Sequence, residues 1–233
     1  MTTDPASRPL RTFGRRRGHR LRQARSALVE TLLPALRLPA AALDPAGLFI
    51  APKRAFRLEI GFGGGEHLAA QAAAHPEVGF IGCEVYVDGV GSLLRHVDRL
   101  GLDNIRLHDG DAREVLDRLP DACLERVYLL FPDPWPKARH HKRRLVSPPV
   151  LDALARVLAD GGLLVFASDH ADYVRWTLER ALGHADFRWL ARTPADWRRP
   201  ADWVETRYEA KALAAGGRCA YLLFERRPRS LGS

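Results

Sequence analysis

A proline-rich loop followed by a cationic segment contains the side chains best suited to chemistry. The sequence of residues 131–144 is Phe-Pro-Asp-Pro-Trp-Pro-Lys-Ala-Arg-His-His-Lys-Arg-Arg. Because each proline disfavours helical geometry in the residue before it, we expect extended, rigid backbone at Phe131, Asp133 and Trp135. Residues 137–144, the cationic segment, contain five cations and two histidines without an acid between them. A carboxylate and an aromatic ring beside this positive charge are better suited to binding a nucleobase within a polyanionic chain than to binding a small free metabolite.

Three further carboxylates accompany the ends of predicted strands. Glu59 lies at the end of the first predicted strand, one residue before a glycine turn at 61–65, Glu84 ends the next apolar segment, and Asp111 follows a third. A glycine turn between strand and helix lets the backbone approach a ligand, although a tight structural turn or a dinucleotide site remains an alternative. Asp111 alone fits a helix N-cap better than a ligand group. The three carboxylates together indicate S-adenosylmethionine, with Glu84 accepting from the ribose hydroxyls.

A nicotinamide cofactor fits the glycine turn less well. Glu66 occupies the position of the third glycine in the dinucleotide fingerprint. Glu59 places a carboxylate where a pyrophosphate would be repelled, so a cationic ligand without phosphates fits better. The position of Glu84 alone does not separate the two cofactors.

The elements that must position these residues alternate between strand and helix from Phe56 onward. Strands are predicted at residues 56–60, 78–83, 104–107, 124–131 and 163–167, with helices between them. Alternation of this kind predicts an α/β, Rossmann-like fold with a mostly parallel sheet and helices on both faces. Residues 206–213 and 218–226 are predicted to complete seven strands as a C-terminal antiparallel hairpin. The carboxyl end of the fourth strand delivers Asp133 to the edge where such sheets bind ligands.

Positive charge is confined to two parts of the chain. The 233 residues carry a net charge of +8. Eight arginines between Arg8 and Arg25 form one acid-free group, the cationic segment forms the other, and the rest of the chain is acidic in balance. Clustering of this kind predicts nucleic-acid contact for the cationic segment. For residues 1–50, we expect a partly disordered, arginine-rich arm with a short helix near residues 25–36, followed by one domain over residues 51–233.

Several protein classes do not fit this composition. The three cysteines are far apart and form no Cys-x-x-Cys pair, which predicts a protein of the reducing cytoplasm. The histidines lack metal-ligand spacing, so no metal is expected. No apolar stretch approaches the roughly 18 residues of a membrane span. We expect a monomer or a weak homodimer.

The chain resembles the bacterial tRNA (guanine-N7-)-methyltransferase family from about Phe56 to Arg226. The resemblance rests on Glu-Ile-Gly-Phe-Gly-Gly-Gly at 59–65, on the long and specific sequence at 131–144, and on Thr-Arg-Tyr-Glu at 206–209. It implies a class I methyltransferase fold with S-adenosylmethionine as cofactor and tRNA as partner. The implied reaction is methylation of N7 of guanine 46 in the tRNA variable loop.

The resemblance also implies roles for individual residues, with Asp133 as the catalytic residue. The implied sites are cofactor binding by Glu59, Gly61, Gly63, Glu84, Asp111 and Asp133, substrate binding by Lys137, Asp169, Thr206, Arg207, Tyr208 and Glu209, and RNA binding by Arg139, His140, His141, Lys142, Arg143 and Arg144. Asp169 fits a cap of the following helix equally well.

The chemistry of guanine agrees with this assignment. N7 has an in-plane lone pair and loses no proton on alkylation, so no strong base is needed, and Asp133 or Glu209 is placed to accept from guanine N1–H and N2–H₂. Trp135 suits either stacking on a flipped-out base or packing beneath the loop. Two other functions remain open: methylation of an amino nitrogen, since Asp-Pro-Trp is similar to the loop of N6-adenine enzymes, and an RNA-binding module with a degenerate cofactor pocket.

Overall fold

The computed structural model describes residues 23–200 and 203–230 and contains a seven-stranded sheet. The strands are β1 (Ala55–Ile60), β2 (Val78–Cys83), β3 (Ile105–His108), β4 (Leu124–Leu130), β5 (Leu158–Ser168), β6 (Phe187–Trp189) and β7 (Ala220–Arg226). Their order is β3-β2-β1-β4-β5-β7-β6. The first five strands are parallel, and β7 runs antiparallel to both β5 and β6. The predicted α/β fold with a C-terminal antiparallel pair is therefore confirmed.

Helices cover both faces of this sheet. They are α1 (Gln23–Thr31), α2 (Leu33–Leu36), α3 (Glu66–Ala74), α4 (Val87–Leu100), α5 (Ala112–Arg118), α6 (Pro148–Val157), α7 (Ala171–Leu182) and α8 (Arg207–Ala214). Successive strand residues point to opposite faces, so Phe80 packs with α3 and α4 while Ile81 packs with α5 and α6. All six residues of β2 are buried, as expected for a strand covered on both sides. None of the helices among the described residues is long and apolar enough to cross a membrane.

The C-terminal region differs from the sequence-based expectation in one element. Residues 207–214 form α8, and the outer partner of β7 is β6, so the strand predicted at 206–213 is wrong. The cause is a capping box: the Thr206 hydroxyl accepts from the Glu209 amide at 3.1 Å, and the Glu209 carboxylate accepts from the Thr206 amide at 3.4 Å. This reciprocal pair satisfies N–H groups that helix formation leaves without partners.

The described part of the N-terminal region packs against the sheet. The helix predicted near residues 25–36 is present as α1 and α2, and Leu33, Leu36 and Phe49 are buried. Arg37 forms an isolated parallel bridge with Leu107 of β3. The remaining arginines of the predicted arm lie in residues 1–22, outside the described residues. The division of the chain at residue 50 stays a prediction.

The order of the strands fixes where a ligand can bind. From β1 the chain builds outward through β2 and β3, and it then returns to place β4 on the other side of β1. The helices that follow β1 and β4 lead away in opposite directions, which opens a crevice beyond the carboxyl ends of these strands.

Candidate active site

A cavity of about 580 Å³ occupies this crevice, a size typical of small-ligand sites. Four strand ends and two later segments contribute its walls. The lining residues that matter for chemistry are Gly61, Gly63, Glu84, Asp111, Asp133, Trp135, Lys142, Arg143, Arg144, Arg207 and Tyr208. The structure thus brings together eleven residues from distant parts of the chain, and ten of them were implied by the sequence as site residues. Trp135 was interpreted as either a stacking or a packing residue.

The glycine turn after β1 has backbone angles that residues other than glycine adopt only with strain. Gly61, Gly63 and Gly65 have φ values of 72°, 56° and 78°, all in the left-handed region. A Cβ at Gly63 would lie 2.7 Å from the ring of Tyr208. The backbone angle therefore favours glycine at position 63, and the ring of the exposed Tyr208 would have to move aside for a Cβ there. This contact places α8 against the turn.

Glu84 joins the glycine turn to the end of β2. One carboxylate oxygen accepts from the Gly63 amide at 2.8 Å, and the other accepts from the Tyr86 amide at 2.8 Å. Burial raises the pKa of Glu84 above its usual range, although these backbone hydrogen bonds oppose the shift. A carboxylate has about four acceptor positions, so further donors can bind where Glu84 lines the cavity.

Asp111 caps a helix and also borders the cavity. It is the N-cap of α5, where Oδ1 accepts from the Arg113 amide at 3.0 Å, and it also lines the cavity. The Arg113 guanidinium donates to Oδ1 at 3.0 Å and to Oδ2 at 2.6 Å. Burial would raise the pKa of Asp111, but hydrogen bonds from Arg113 outweigh it and lower the pKa. Asp111 is therefore held as a carboxylate in a fixed orientation.

The loop after β4 turns more sharply than expected. Phe131 and Trp135 have φ values of 50° and 43°, so the predicted extended backbone is wrong at both. A following proline disfavours the right-handed helical region and favours extended backbone, so the left-handed turns at Phe131 and Trp135 are held by the folded loop. Each such residue costs on the order of 1–3 kcal/mol and persists only where the surroundings hold it, commonly at functional sites. The Phe131 amide donates to the Ala167 carbonyl at 2.8 Å, which anchors the start of the loop to β5.

Asp133 stands at the tip of this loop and lines the cavity. Its side chain is exposed to the cavity, yet desolvation by the surrounding walls raises the pKa of Asp133 above its usual range. Trp135 lies beside it: the Arg143 guanidinium is 4.8 Å from the Trp135 ring centroid, and the His140 ring is edge-on at 5.9 Å. The ring thus joins the loop that carries Asp133 (residues 131–136, the carboxylate loop) to the cationic segment through a cation–π contact.

Eight implied site residues are not part of the cavity lining that the described residues form: Glu59, Lys137, Arg139, His140, His141, Asp169, Thr206 and Glu209. Glu59 is buried beneath the glycine turn, where it bonds His67 Nδ1 at 2.7 Å. Lys137 and Asp169 are exposed and lie away from the lining. Asp169 is not the helix cap either, because α7 has His170 at its N-cap and the Ser168 hydroxyl accepts from the His170 amide.

The Thr-Arg-Tyr-Glu motif is divided between two roles. Arg207 and Tyr208 are exposed and line the cavity, whereas Thr206 and Glu209 are buried in the capping box. The Glu209 carboxylate also accepts from Trp203 Nε1 at 2.6 Å and from the Tyr221 hydroxyl. An ion pair with an Arg199 nitrogen at 2.7 Å completes this set. The Thr-x-x-Glu spacing is the sequence signal for a cap, which the resemblance to a substrate motif obscured.

The cationic segment is mostly a 3₁₀ helix, Ala138–Arg143. Its cations are not equivalent. Arg139 and Lys142 are exposed, and His140 and His141 are half-buried. Arg144, in contrast, is 3% exposed. The described residues include no group of three or more histidine, cysteine or acidic side chains arranged to hold a metal ion.

Comparison with known proteins places the chain among methyltransferases. A family model described as "Putative methyltransferase" matches residues 53–222. The tRNA (guanine-N(7)-)-methyltransferase of Rhodospirillum rubrum is 60% identical, covering 94% of this chain and 89% of that protein. The protein of the same name from Chelativorans sp. is 51% identical, covering 92% of this chain and 94% of that protein.

Solved structures with the same architecture are more distant in sequence. The crystal structure of the 16S rRNA methyltransferase KamB matches with a TM-score of 0.53 at 16% identity, covering 76% of this chain and 89% of that chain. An rRNA methylase from Streptococcus thermophilus matches with a TM-score of 0.51 at 14% identity, covering 81% of this chain and 92% of that chain. At these identities the likeness shows the class I methyltransferase fold alone.

Proposed function

This chain belongs to the tRNA (guanine-N(7)-)-methyltransferase family, and we propose that it methylates N7 of guanine 46 in the variable loop of tRNA. The observation that carries the proposal is the convergence of Asp133, Trp135 and the cationic segment on one cavity with Glu84 and the glycine turn. A cofactor side and a nucleic-acid side thus meet at a single carboxylate.

The cofactor is S-adenosylmethionine, and the cofactor side of the cavity fits it. Gly61 lines the cavity, and a Cβ there would meet no atom within 4 Å, so the backbone is open to a ligand. Glu84 and Asp111 would accept from the ribose and the adenine edge, as the sequence predicts. Glu59, held by His67 beneath the turn, adds negative charge that suits a cationic ligand.

The methyl transfer requires the protein mainly to align the two reactants and to stabilise the charge that develops. S-adenosylmethionine, when bound, supplies an electrophilic methyl group on a sulfonium centre. Guanine N7 has its lone pair in the ring plane and releases no proton, so the residues that hold the base contribute mainly by orientation. Asp133 is fixed between two prolines, and its carboxylate would stabilise the positive charge that develops on the purine.

Asp133 is also the better placed of the two candidates for base recognition. Its carboxylate faces the cavity, whereas the Glu209 oxygens are engaged by Trp203, Tyr221 and Arg199. We therefore assign acceptance from guanine N1–H and N2–H₂ to Asp133, a pairing that adenine does not offer. Trp135 is placed at the cavity wall to stack on a flipped-out base, and Arg207 and Tyr208 border the same space from α8.

The wider surroundings of the site suit a nucleic-acid substrate. Arg139 and Lys142 are exposed beside the loop and would contact phosphates. We further propose that the protein acts in the cytoplasm without a metal, as a monomer or a weak homodimer.

Methylation of two transcripts tests the proposed position. The protein is incubated with labelled S-adenosylmethionine and either a tRNA carrying guanine 46 or the same tRNA with adenine at that position. Label in the first transcript and none in the second supports the proposal. Equal labelling of both would refute position 46, and no labelling of either would refute tRNA as substrate.

A further inference from the structure

Arg144 is the last residue of the cationic segment, and none of its guanidinium nitrogens is offered to solvent. Although Arg144 is among the residues that line the cavity, its side chain is 0% exposed. Nε donates to the Pro134 carbonyl at 2.8 Å, Nη2 bonds Asp172, and Nη1 is buried without a hydrogen-bond partner among the described residues. A phosphate oxygen therefore has no route to this guanidinium without a rearrangement.

The environment of Arg144 is built by α7. The guanidinium lies 4.9 Å from the ring centroids of both Tyr173 and Trp176. The same two side chains also hold the backbone just after the cationic segment. Trp176 Nε1 donates to the Val146 carbonyl at 2.7 Å, and the Tyr173 hydroxyl accepts from the Val146 amide at 3.3 Å. Arg144 is thus enclosed by α7 on one side and bonded to the carboxylate loop on the other.

We propose that Arg144 is a positioning residue for the methyl transfer rather than a contact to RNA phosphate. Its planar guanidinium ties the Pro134 carbonyl to Asp172 of α7, and it thereby holds the strained loop that carries Asp133. Asp133 directly precedes Pro134, so a shift of this carbonyl moves the catalytic carboxylate. This proposal rests on the proposed function, because it assigns Arg144 a role in that reaction.

Lysine at position 144 separates charge from geometry. Arg144→Lys keeps the positive charge but lacks the planar fork that bonds two acceptors and stacks on rings. We expect the turnover number at saturating tRNA and cofactor to fall by about tenfold or more, as misplacement of a reacting group does. The tRNA dissociation constant and its dependence on salt should stay at wild-type values. Arg175→Lys, the same change at an exposed arginine of α7, is the control and should leave turnover unchanged.

Asp172→Asn separates an RNA-attracting role of the cationic residues from a positioning role of Arg144, because the two roles predict different changes in tRNA affinity and turnover. If the cationic residues act only by attracting RNA, loss of this exposed acid should tighten tRNA binding and preserve turnover. If Asp172 anchors Arg144, turnover should fall without a gain in affinity. Asp172 is exposed, so this variant should fold even if Arg144→Lys is unstable.

Amide hydrogen exchange tests the same contact without any substrate. The peptide that contains the amides of Phe131, Asp133 and Trp135 should exchange faster in Arg144→Lys and Asp172→Asn than in wild type or Arg175→Lys. Wild-type exchange together with wild-type turnover in both variants would overturn the proposal. So would a loss confined to tRNA affinity with a weaker salt dependence, which would make Arg144 a phosphate contact. An inactive wild type would instead refute the proposed function, and the exchange measurement would still decide whether Arg144 holds the loop.

Discussion

Replacing Glu84 by glutamine perturbs the cofactor side of the cavity at the carboxylate that joins the glycine turn to the end of β2. The two oxygens of Glu84 each accept one backbone hydrogen bond, from Gly63 and from Tyr86, both at 2.8 Å. The amide of glutamine keeps only one accepting oxygen. One backbone donor or one cofactor hydroxyl therefore loses its acceptor, and the fixed charge is removed as well.

The size of the effect follows from these contacts. A hydrogen bond to a charged group contributes about 1.5–3 kcal/mol, which corresponds to a loss of S-adenosylmethionine affinity of roughly tenfold to a hundredfold. If a backbone donor is the group left without a partner, the folded protein is destabilised by about 1–3 kcal/mol. In a chain of this length each kcal/mol lowers the melting temperature by about 2–4 °C.

Isothermal calorimetry with S-adenosylmethionine and thermal unfolding without it measure the two effects separately. Asp88→Asn is the charge-matched control, because Asp88 lies in the first turn of α4 near the cavity but outside its lining. We expect weaker binding in Glu84→Gln and unchanged binding in the control. A lower melting temperature with unchanged cofactor affinity would contradict the reasoning, since Glu84 would then only hold the glycine turn.

Three further perturbations test other parts of the site. Asp133→Asn should reduce the single-turnover rate by about a hundredfold. A reduction below about threefold corresponds to less than ~1 kcal/mol of activation barrier and would exclude Asp133 as the catalytic carboxylate. Because desolvation raises the pKa of Asp133, the wild-type rate at saturating cofactor should fall as the pH drops through that raised pKa, and a rate independent of pH across the acid range would argue against a required carboxylate. Gly63→Ala places a Cβ 2.7 Å from the Tyr208 ring at a φ of 56°, so calorimetry should show weaker cofactor binding, part of which Tyr208→Ala restores; full affinity in the single variant would show that the turn adapts. Replacing Arg139 and Lys142 by glutamine should reduce the slope of log tRNA affinity against log salt by about 0.7–0.9 per lost phosphate contact, and a slope equal to wild type would mean that these cations only face solvent.

The fold and the cofactor side of the site could be predicted because their signals are local. Alternating strands and helices define a parallel sheet, and the carboxyl ends of its strands meet at one edge. Glu84 and Asp111 each follow a strand, so their convergence follows from topology alone. The glycine at position 63 is visible in the sequence, but one neighbour that favours it is Tyr208, which approaches from a helix more than a hundred residues later.

The structure differs from the sequence-based predictions at residues whose conformation or burial depends on tertiary contacts or on a second local rule. Residues around Arg207 were predicted as a strand, yet the capping box of Thr206 and Glu209 starts a helix there. The following proline favours extended backbone at Trp135, yet the folded loop holds this residue at a φ of 43°. Counting charge treated every cation of the segment alike, whereas the burial of Arg144 depends on two aromatic rings of α7.

The identity of the methylated nucleoside tests the central claim most directly. Bulk tRNA is incubated with the protein and S-adenosylmethionine carrying a labelled methyl group, digested to nucleosides, and analysed by mass spectrometry. The proposed function predicts that the label is in 7-methylguanosine and that the Asp133→Asn variant gives almost none. Label in a nucleoside methylated on an exocyclic amino nitrogen, with 7-methylguanosine unlabelled, would contradict it.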